Sequence, residues 1–317
     1  MILLFGALLD TGIGHLVHRL EDRAVPFLLL DPRQHGRGFD LSWEWTNGRF
    51  RAWLRQPGRV TPLAEVRAAY VHHIWLPEPA GISAGTGRFT PQESRWMLHA
   101  FLETAPFLVC NRPSASATNY SKTWQQQAIA ACGFAVPRTL VTNVPDEARE
   151  FYQRSRRRVI YKSLSARRSI VKRMTDEDLP RLERLRAGPA QFQEWVPGVD
   201  IRVHVMGRRV YSTEISTEAT DYRYSNRDAL PRTMRGVQLP DGIGARCVGL
   251  ASSLGLVGAG VDLRRTPDGR YYCFEANPTP AFAFYEQYTG QRIADGLIDA
   301  LLEGTVNFEG GSSYENR

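Results

Sequence analysis

Lysine is nearly absent from this chain. Lys and Arg together number 40 among 317 residues, yet lysine stands only at positions 122, 162 and 172. A lysine that persists where arginine is preferred is a candidate for a role that needs a compact ammonium, such as capping phosphate oxygens as a point charge. Lys162 follows an apolar Val-Ile-Tyr run and precedes a serine-rich segment, which favours such a contact. The alternative for Lys162 and Lys122 is an ordinary lysine whose ammonium reaches solvent, and Lys172 is expected at the surface.

Regularly spaced cysteines and long apolar runs are also missing. The four cysteines, at 110, 132, 247 and 273, show no paired spacing. They indicate neither a structural zinc site nor a disulfide framework, and a reducing cytoplasm is the expected location. No apolar run is long enough to span a bilayer. The opening residues Met1–Phe5 lack the basic leader of a signal peptide and predict a buried strand.

Negative charge is in deficit, because 33 Asp and Glu face 40 Lys and Arg, for a net charge of +7. The arginines cluster between positions 154 and 173. A nucleic-acid binder would show such a patch interleaved with aromatic residues and accompanied by a recognisable motif. Neither accompanies the cluster, so an acidic substrate is favoured and nucleic acid is not expected as the main partner.

The segment Val257–Pro278 carries the densest functional signal. It predicts two apolar strands joined by a Thr-Pro-Asp-Gly turn. Glu275 and Asn277 share one face of the second strand, and a two-residue Asp-Gly loop would set Asp262 directly opposite Glu275. Two carboxylates and an amide oxygen, without histidine or cysteine, suit Mg²⁺ bound together with substrate phosphates. A half-exposed hairpin with outward polar residues is the alternative.

The same two strands, Gly260-Val-Asp-Leu-Arg264 and Phe274-Glu-Ala-Asn-Pro278, resemble the ATP-grasp superfamily. The most similar branch contains ribosomal-protein glutamate ligases, glutathione synthetases and graspetide macrocyclases. Four further segments match that branch in the same chain order: Lys122 after Cys110–Pro113, Val159–Ser165, Phe192–Gly207 and Tyr288–Gly290. The resemblance spans residues from about 111 to 302.

The resemblance implies an α/β chain with the ATP-grasp fold, built from α+β ATP-binding lobes and preceded by a Rossmann-like pre-ATP-grasp domain. A length of 317 residues is consistent with two to three domains. The expected divisions are an N-terminal domain over 1–111, a central lobe over 112–195, a C-terminal lobe with the metal site over 196–306, and a flexible tail over 307–317.

The resemblance also implies roles for individual residues. The residues expected to bind ATP are Lys122, Lys162, Ser165, Gln193, Glu194, Trp195, Val196 and Asp200. The lysines and the serine would contact phosphates, and the backbone of 193–196 would form a hinge that pairs with adenine. Asp200 would accept a ribose hydroxyl, with Glu194 as the alternative. The expected metal ligands are Asp262, Glu275 and Asn277, and the expected catalytic residues are Arg202, Arg223 and Arg264.

Glycine is missing where the family's phosphate loop normally has it. The corresponding segment is Ser163-Leu-Ser-Ala-Arg-Arg-Ser169. Ser163, Ser165 and the two arginines are the donors available to replace backbone contacts. Arg223 lies in Thr220-Asp-Tyr-Arg-Tyr224, a segment that is similar to one found in graspetide-type relatives. It would bind the acceptor or the acyl phosphate, and an exposed loop arginine is the alternative.

The activity implied is an ATP-dependent carboxylate-amine or carboxylate-hydroxyl ligase acting through an acyl phosphate. The cofactors would be ATP and two Mg²⁺ ions, with Mn²⁺ as a substitute. The acid would be a peptide or amino-acid-like substrate, the bond formed an amide or an ester, and the products ADP and phosphate. A homodimer or homotetramer stays open, and no membrane contact is expected. The alternatives are an ATP-grasp phosphotransferase and a non-catalytic nucleotide-binding protein.

The N-terminal residues predict an α/β pattern of strand, helix and strand, over Ile2–Phe5, Gly14–Arg23 and Phe27–Asp31. Gly12-x-Gly14 after the first strand is typical of a dinucleotide site, but Val17 stands where the third glycine should be. His72 and His73 would point to opposite faces of one strand, so they cannot ligate one metal together. A core or surface role is expected for each.

Overall fold

The computed structural model describes residues 1–72, 89–164, 171–217 and 232–304. The strands are β1 Ile2–Phe5, β2 Phe27–Leu30, β3 Asp40–Thr46, β4 Arg49–Gln56, β5 Arg59–Pro62, β6 Ala68–Val71, β7 Leu108–Cys110, β8 Thr139–Thr142, β9 Val159–Lys162, β10 Lys172–Arg173, β11 Ala190–Glu194, β12 Val199–Met206, β13 Arg209–Thr217, β14 Arg232–Val237, β15 Gly258–Arg265 and β16 Tyr271–Asn277. The α-helices are α1 Thr11–Asp22, α2 Phe89–Thr104, α3 Pro113–Ser116, α4 Lys122–Ala131, α5 Pro145–Arg154, α6 Asp241–Ser253, α7 Ala283–Thr289 and α8 Ile293–Glu303. Short 3₁₀ helices occupy Pro32–Gln34, Ala117–Tyr120 and Asp176–Ala187.

The first sheet is parallel throughout, in the order β2-β1-β6-β7. Its central strand β1 is apolar and fully buried, as a strand covered on both faces must be. The predicted strands of this region are confirmed, but α1 begins at Thr11, three residues before the predicted start. Asp10 explains the difference, because its side chain caps the helix by accepting a hydrogen bond of 2.9 Å from the Gly12 N–H.

A three-stranded antiparallel sheet, β3-β4-β5, is inserted between β2 and β6. Leu41 and Leu54 of this sheet pack with Phe5 and Phe101 in one apolar cluster, which covers one face of the parallel sheet. The opposite face of the parallel sheet contributes to a second cluster that includes α8 and the residues Phe282 and Tyr285. The N-terminal part of the chain is therefore packed directly against its C-terminal helices.

The third sheet is antiparallel, in the order β10-β9-β11-β8. Helix α5 and the 3₁₀ helix Asp176–Ala187 cover it, and Phe151, Leu182 and Phe192 form its core. Lys162 is the last residue of β9 and lies opposite Gln191 of β11. The sheet therefore presents this lysine at the end of a strand, as the sequence predicts.

The fourth sheet has five antiparallel strands, in the order β14-β13-β12-β15-β16. One face, with Ile201, Val203 and Val261, packs against α6 and against Ile129 of α4. The other face carries polar side chains from β12, β15 and β16, because alternate residues of a strand point to opposite faces. Because α4 packs against this sheet, Lys122 at the start of the helix lies beside it.

The β15–β16 hairpin sets Asp262 opposite Glu275, as predicted, but by a different route. The pairing nearest the turn joins Arg265 to Tyr271, so five residues connect the strands and the expected two-residue loop is wrong. A register shift between Asp262 and Leu263 then inserts one extra residue, Phe274, into β16. The bulge restores the pairing that a two-residue loop would have produced.

The four cysteines are free thiols. None of the helices in the described ranges combines the length and apolar character that a bilayer crossing requires.

Candidate active site

Three predicted metal ligands meet on one face of the fourth sheet. Asp262 and Glu275 are directly opposite each other, and Asn277, two residues beyond Glu275, is opposite Gly260. The side chains of Asp262 and Glu275 are 18% and 15% exposed. Two carboxylates this close and this buried need cations to offset their repulsion and desolvation.

Two of those cations come from the chain itself. Arg202 of β12 lies opposite Asp262 and donates from Nη1 to its Oδ1 at 2.7 Å. Lys122 places its Nζ 3.0 Å from Oε2 of Glu275. The lysine is positioned by Gln125, one turn further along α4, whose amide exchanges hydrogen bonds of 2.8 and 3.1 Å with the backbone of Ala276. These bonds dock α4 on the outer strand of the sheet.

Gly260 makes room for the Arg202 guanidinium. A Cβ atom at this position would lie 1.9 Å from Nη2 and 2.4 Å from Cζ of Arg202, and 2.8 Å from Cβ of Pro280. All three are far inside van der Waals contact. The absence of a side chain at Gly260 is therefore a condition for the Arg202–Asp262 contact.

The donor set fits Mg²⁺. It consists of hard oxygen atoms, and Asn277 also holds its own loop by accepting a hydrogen bond of 2.9 Å from the Thr279 N–H. Within the described residues no group of three or more His, Cys, Asp and Glu side chains could hold a metal ion. An ion bound by Asp262, Glu275 and Asn277 would therefore need further oxygens from phosphate or water, which is the usual situation for Mg²⁺ with a nucleotide.

Asp200 and Arg264 form a two-pronged ion pair on the same face. Nε and Nη2 of the arginine donate to the two carboxylate oxygens at 2.8 and 2.9 Å. The third guanidinium nitrogen donates to the carbonyl oxygen of Val196 at 2.9 Å. Arg264 therefore ties the predicted ribose ligand to the predicted adenine hinge, and a fork of this kind fixes orientation as well as charge.

The predicted hinge is anchored on both sides. The N–H groups of Glu194 and Trp195 donate to the carbonyl oxygens of Arg138 and Arg158, each at 2.9 Å. Within the described residues, the Val196 N–H is the hinge donor that no protein acceptor engages. The Val196 N–H is therefore the hinge donor that remains for a hydrogen bond with adenine.

The hinge side chains are held from several directions. Gln193 is buried and donates to Thr139 Oγ1 at 3.0 Å. Glu194 pairs with the exposed Arg138 at 3.1 Å. The guanidinium of Arg173 lies 4.7 Å from the centre of the Trp195 ring, a cation–π distance. These contacts engage all three side chains, and the expected pairing of the hinge backbone with adenine stays a prediction.

Gly198 forms the turn that follows the hinge. Its φ of +145° is disfavoured for other residues, and a Cβ there would lie 2.2 Å from the carbonyl oxygen of Arg265. The close approach brings the start of β12 beside the end of β15, which is what allows Asp200 to reach Arg264.

Lys162 is buried, with 9% of the residue exposed, and it has partners among its neighbours. The burial of Lys162 argues against the alternative, in which its ammonium reaches solvent. Ser165 and Arg223 lie outside the described residues, as does His73. Their assignments stay predictions.

The sequence reasoning missed three polar groups near this face. Asn111, at the end of β7, donates to the carbonyl oxygens of Gly258 and Pro278 at 2.7 and 2.6 Å and so ties the first sheet to the fourth. His204 is fully buried two residues beyond Arg202, and burial together with the Arg202 charge lowers its pKa well below the usual range. The third is His72, whose contacts with Asp10 and Tyr70 are described below. No local pattern indicates the contacts of Asn111 or the contact of His72 with Asp10, because their partners lie far away in the sequence.

Comparison with solved structures gives the class of protein. The ATP-grasp ligase PsnB, solved with minimal precursor, Mg and ADP, is 26% identical, with a TM-score of 0.80 over 96% of each chain. The RiPP-associated ATP-grasp ligase of Chryseobacterium gregarium, in complex with ADP and a leader and core peptide, is 22% identical, with a TM-score of 0.83 over 96% of this chain and 97% of that one. The macrocyclase MdnC of Microcystis aeruginosa MRC, bound with precursor peptide MdnA, is 20% identical, with a TM-score of 0.82 over 96% and 100%.

No protein-family model and no curated protein matches the chain. The solved structures nevertheless match along almost its whole length, with mixed α/β sheets in the same arrangement. The chain therefore has the ATP-grasp fold. Its resemblance to the branch that holds the graspetide macrocyclases is confirmed.

Proposed function

We propose that this protein is an ATP-dependent ligase that joins a peptide carboxylate to an amine or hydroxyl acceptor through an acyl phosphate. The observation that carries the proposal is the face formed by Asp262, Glu275 and Asn277, with Lys122 and Arg202 bound to its carboxylates. The fold agrees with it, because PsnB has been solved with Mg and ADP in the same fold.

Asp262, Glu275 and Asn277 are the proposed Mg²⁺ ligands, for two ions, with Mn²⁺ accepted by the same oxygens. Bound metal would draw charge from the phosphate oxygens as the phosphoryl group moves. The chain's own contribution is to hold the oxygens in place, Asp262 through Arg202 and Glu275 through Lys122. A phosphate near this face would meet both cations at once.

ATP would lie between the third and fourth sheets. Lys162 and Ser165 are assigned to phosphate, the hinge Gln193–Val196 to adenine, and Asp200 to ribose. The position of Lys162 supports its assignment, because it is the last residue of β9 and directly precedes the serine-rich segment assigned to phosphate.

The three arginines have different proposed tasks. Arg202 reaches Asp262 and would stabilise charge at the transferring phosphoryl group. Arg264 acts mainly by orienting Asp200 and Val196, since all three of its guanidinium nitrogens are engaged by them. Arg223 is the proposed anchor for the acid or the acyl phosphate. Its task rests on the sequence resemblance alone.

Residues 1–111 are proposed as the pre-ATP-grasp domain, on the support of the parallel sheet β2-β1-β6-β7. The lobes over 112–195 and 196–306 would enclose ATP. The substrate is proposed to be a peptide because PsnB, MdnC and the Chryseobacterium ligase have each been solved with a peptide. The positive charge of the chain suits an acidic one.

The test uses peptides synthesised from the short reading frames that flank the gene, each incubated with the purified protein, ATP, Mg²⁺ and hydroxylamine. A ligase releases ADP and yields a peptide hydroxamate with hydroxylamine, or a dehydrated peptide without it. A phosphorylated peptide that resists hydroxylamine would establish the phosphotransferase alternative. No ADP release with any peptide, together with retained ATP binding, would establish the non-catalytic one.

Glu214→Gln provides a matched control for Glu275→Gln. Glu214 is also a buried carboxylate of the fourth sheet and accepts hydrogen bonds from Arg235 and Arg265, at 2.9 and 2.8 Å. It lies opposite Ile201, on the face that packs against α6. Loss of hydroxamate in Glu275→Gln but not in Glu214→Gln would tie the activity to the proposed metal face.

A further inference from the structure

Three polar side chains form a chain of close contacts at the carboxyl edge of the first sheet. Tyr70 Oη lies 3.2 Å from Nδ1 of His72. The other ring nitrogen, Nε2, lies 3.1 Å from Oδ1 of Asp10. The histidine is therefore held from both sides, by the tyrosine hydroxyl at Nδ1 and by the carboxylate at Nε2.

This chain lies next to the loop that carries Asn277. The Tyr70 ring packs edge-on against Phe282, with 6.4 Å between the ring centres. On the neighbouring strand end, Asn111 holds the carbonyl oxygen of Pro278 at 2.6 Å. Phe282 and Pro278 both belong to the segment that follows Asn277 in the chain. The carboxyl edge of the first sheet therefore contacts the segment that begins directly after Asn277.

Asp10 is the carboxylate of the chain that a ligand can reach. Its side chain is 35% exposed, whereas that of His72 is 10% exposed and Tyr70 is buried. The Gly12 N–H donates to Oδ1, and Nε2 of His72 lies 3.1 Å from the same oxygen. Among the described residues no group contacts Oδ2, so this oxygen can bind a ligand while the helix cap and the histidine hold the carboxylate in place.

Glycine at position 12 keeps this contact open. A Cβ there would approach Asp10 Oδ1 to 3.3 Å and His72 Cε1 to 3.4 Å, which is tighter than most Cβ contacts. The glycine that suggested a dinucleotide site thus has another explanation, because it lets the histidine lie against the start of α1.

Asp10 is the acidic side chain of this chain of contacts, and two of the groups near it do not ionise. Burial raises the pKa of the Tyr70 hydroxyl well above its usual range, and it raises the pKa of the nearby Cys110 thiol to about 12. Both groups are therefore neutral at physiological pH. The Asp10 carboxylate can attract a cation, in a chain that is otherwise rich in positive charge.

We propose that Asp10, positioned by His72 and Tyr70, forms the binding subsite for the acceptor, and that the acceptor is a primary amine. The inference rests on the proposed ligase function and extends it by naming the acceptor class. An ammonium gains an ion pair as well as a hydrogen bond with Oδ2, whereas a hydroxyl gains the hydrogen bond alone. The product is then an amide.

Asp10 also receives a proton in the proposed step. The ammonium first gives one proton to water and becomes a neutral amine. The amine nitrogen then attacks the acyl-phosphate carbon, so that a C–N bond forms and the C–O bond to phosphate breaks. Phosphate leaves with that electron pair. The remaining excess proton on nitrogen passes to Oδ2 of Asp10 and then to water, while His72 holds the carboxylate in position.

Hydroxylamine separates this step from those before it. It is uncharged at neutral pH and captures an acyl phosphate without a base, so hydroxamate formation reports on phosphorylation alone. The experiment uses the peptide identified by the hydroxamate screen, in versions with lysine or serine at the acceptor position. Amide and hydroxamate formation are measured for the wild type and for Asp10→Asn, which retains an oxygen to cap α1. Asp31→Asn is the matched control, since Asp31 also caps a helix at this sheet edge but pairs with Arg33.

We expect Asp10→Asn to lower amide formation on the order of 100-fold, the usual contribution of a general base, with hydroxamate formation unchanged. His72→Leu should behave alike, and His72→Gln, which restores a donor near Nε2, should recover part of the loss. If Asp10→Asn lowers amide and hydroxamate formation equally, or lowers neither, the inference is wrong and the ligase proposal still stands. So would wild-type ester formation from the serine peptide as fast as amide formation. No hydroxamate from the wild type would instead refute the ligase itself.

Discussion

Replacing Gly260 by alanine tests the link between packing and the proposed site. The added Cβ would lie 1.9 Å from Nη2 of Arg202 and 2.8 Å from Cβ of Pro280. Normal carbon contacts are about 3.5–4.0 Å, so the guanidinium must move by more than an ångström. Its hydrogen bond of 2.7 Å to Asp262 cannot survive that movement.

The size of the effect follows from two costs. Overpacking a closely packed site destabilises by about 1–3 kcal/mol. Losing a hydrogen bond between charged groups costs about 1.5–3 kcal/mol. At about 2–4 °C per kcal/mol for a domain of roughly 150–250 residues, we expect the melting temperature of Gly260→Ala to fall by several degrees. Turnover should fall about 100-fold, because a displacement of about 1 Å in a positioning group has that effect.

The assay combines thermal unfolding with hydroxamate formation. Gly244→Ala is the matched control, because a Cβ at Gly244 of α6 would meet no heavy atom within 4 Å. That substitution should stabilise the helix by about 0.4–1 kcal/mol and leave turnover unchanged. If Gly260→Ala melts and turns over like the wild type, Arg202 does not occupy the space above Gly260 and the packing account is wrong.

Three further predictions concern individual side chains. Asp262→Asn and Glu275→Gln, which remove charge but keep shape, should each lower turnover by orders of magnitude at saturating Mg²⁺. Activity equal to that of the wild type in both variants would refute their assignment. Lys162→Met should weaken ATP binding about tenfold to a hundredfold, as expected for a lost charge-assisted contact, and calorimetric titration with ATP would measure it. Arg223→Ala should raise the apparent KM for the acid peptide with ATP affinity little altered; if kinetics with that peptide are unchanged, Arg223 is an ordinary loop residue.

The metal face could be predicted from sequence because its residues lie on two adjacent strands. Alternation along β16 puts Glu275 and Asn277 on one face, and a hairpin brings Asp262 to the same place. The predicted two-residue turn is wrong, because five residues connect the strands. The bulge at Phe274 compensates for the longer loop, so Asp262 still pairs with Glu275. A bulge leaves no clear pattern in a single sequence, whereas the alternation that it preserves does.

Contacts between distant segments could not be predicted in the same way. Lys122 and Glu275 each stood out by composition or spacing, but their contact depends on α4 docking through Gln125. Asp10 and His72 meet because β1 and β6 are parallel neighbours in the first sheet. Sequence periodicity indicates that these strands exist but not which strands pair, so the Asp10–His72 contact became visible only in the fold.

The central claim is that Asp262, Glu275 and Asn277 hold divalent metal for a nucleotide. Titration with Mn²⁺ in the presence of a non-hydrolysable ATP analogue, followed by electron paramagnetic resonance, tests it without any knowledge of the peptide substrate. The account predicts that the wild type and Glu214→Gln bind Mn²⁺ tightly when the analogue is present, and that Glu275→Gln does not. Equal Mn²⁺ binding by all three proteins would contradict it.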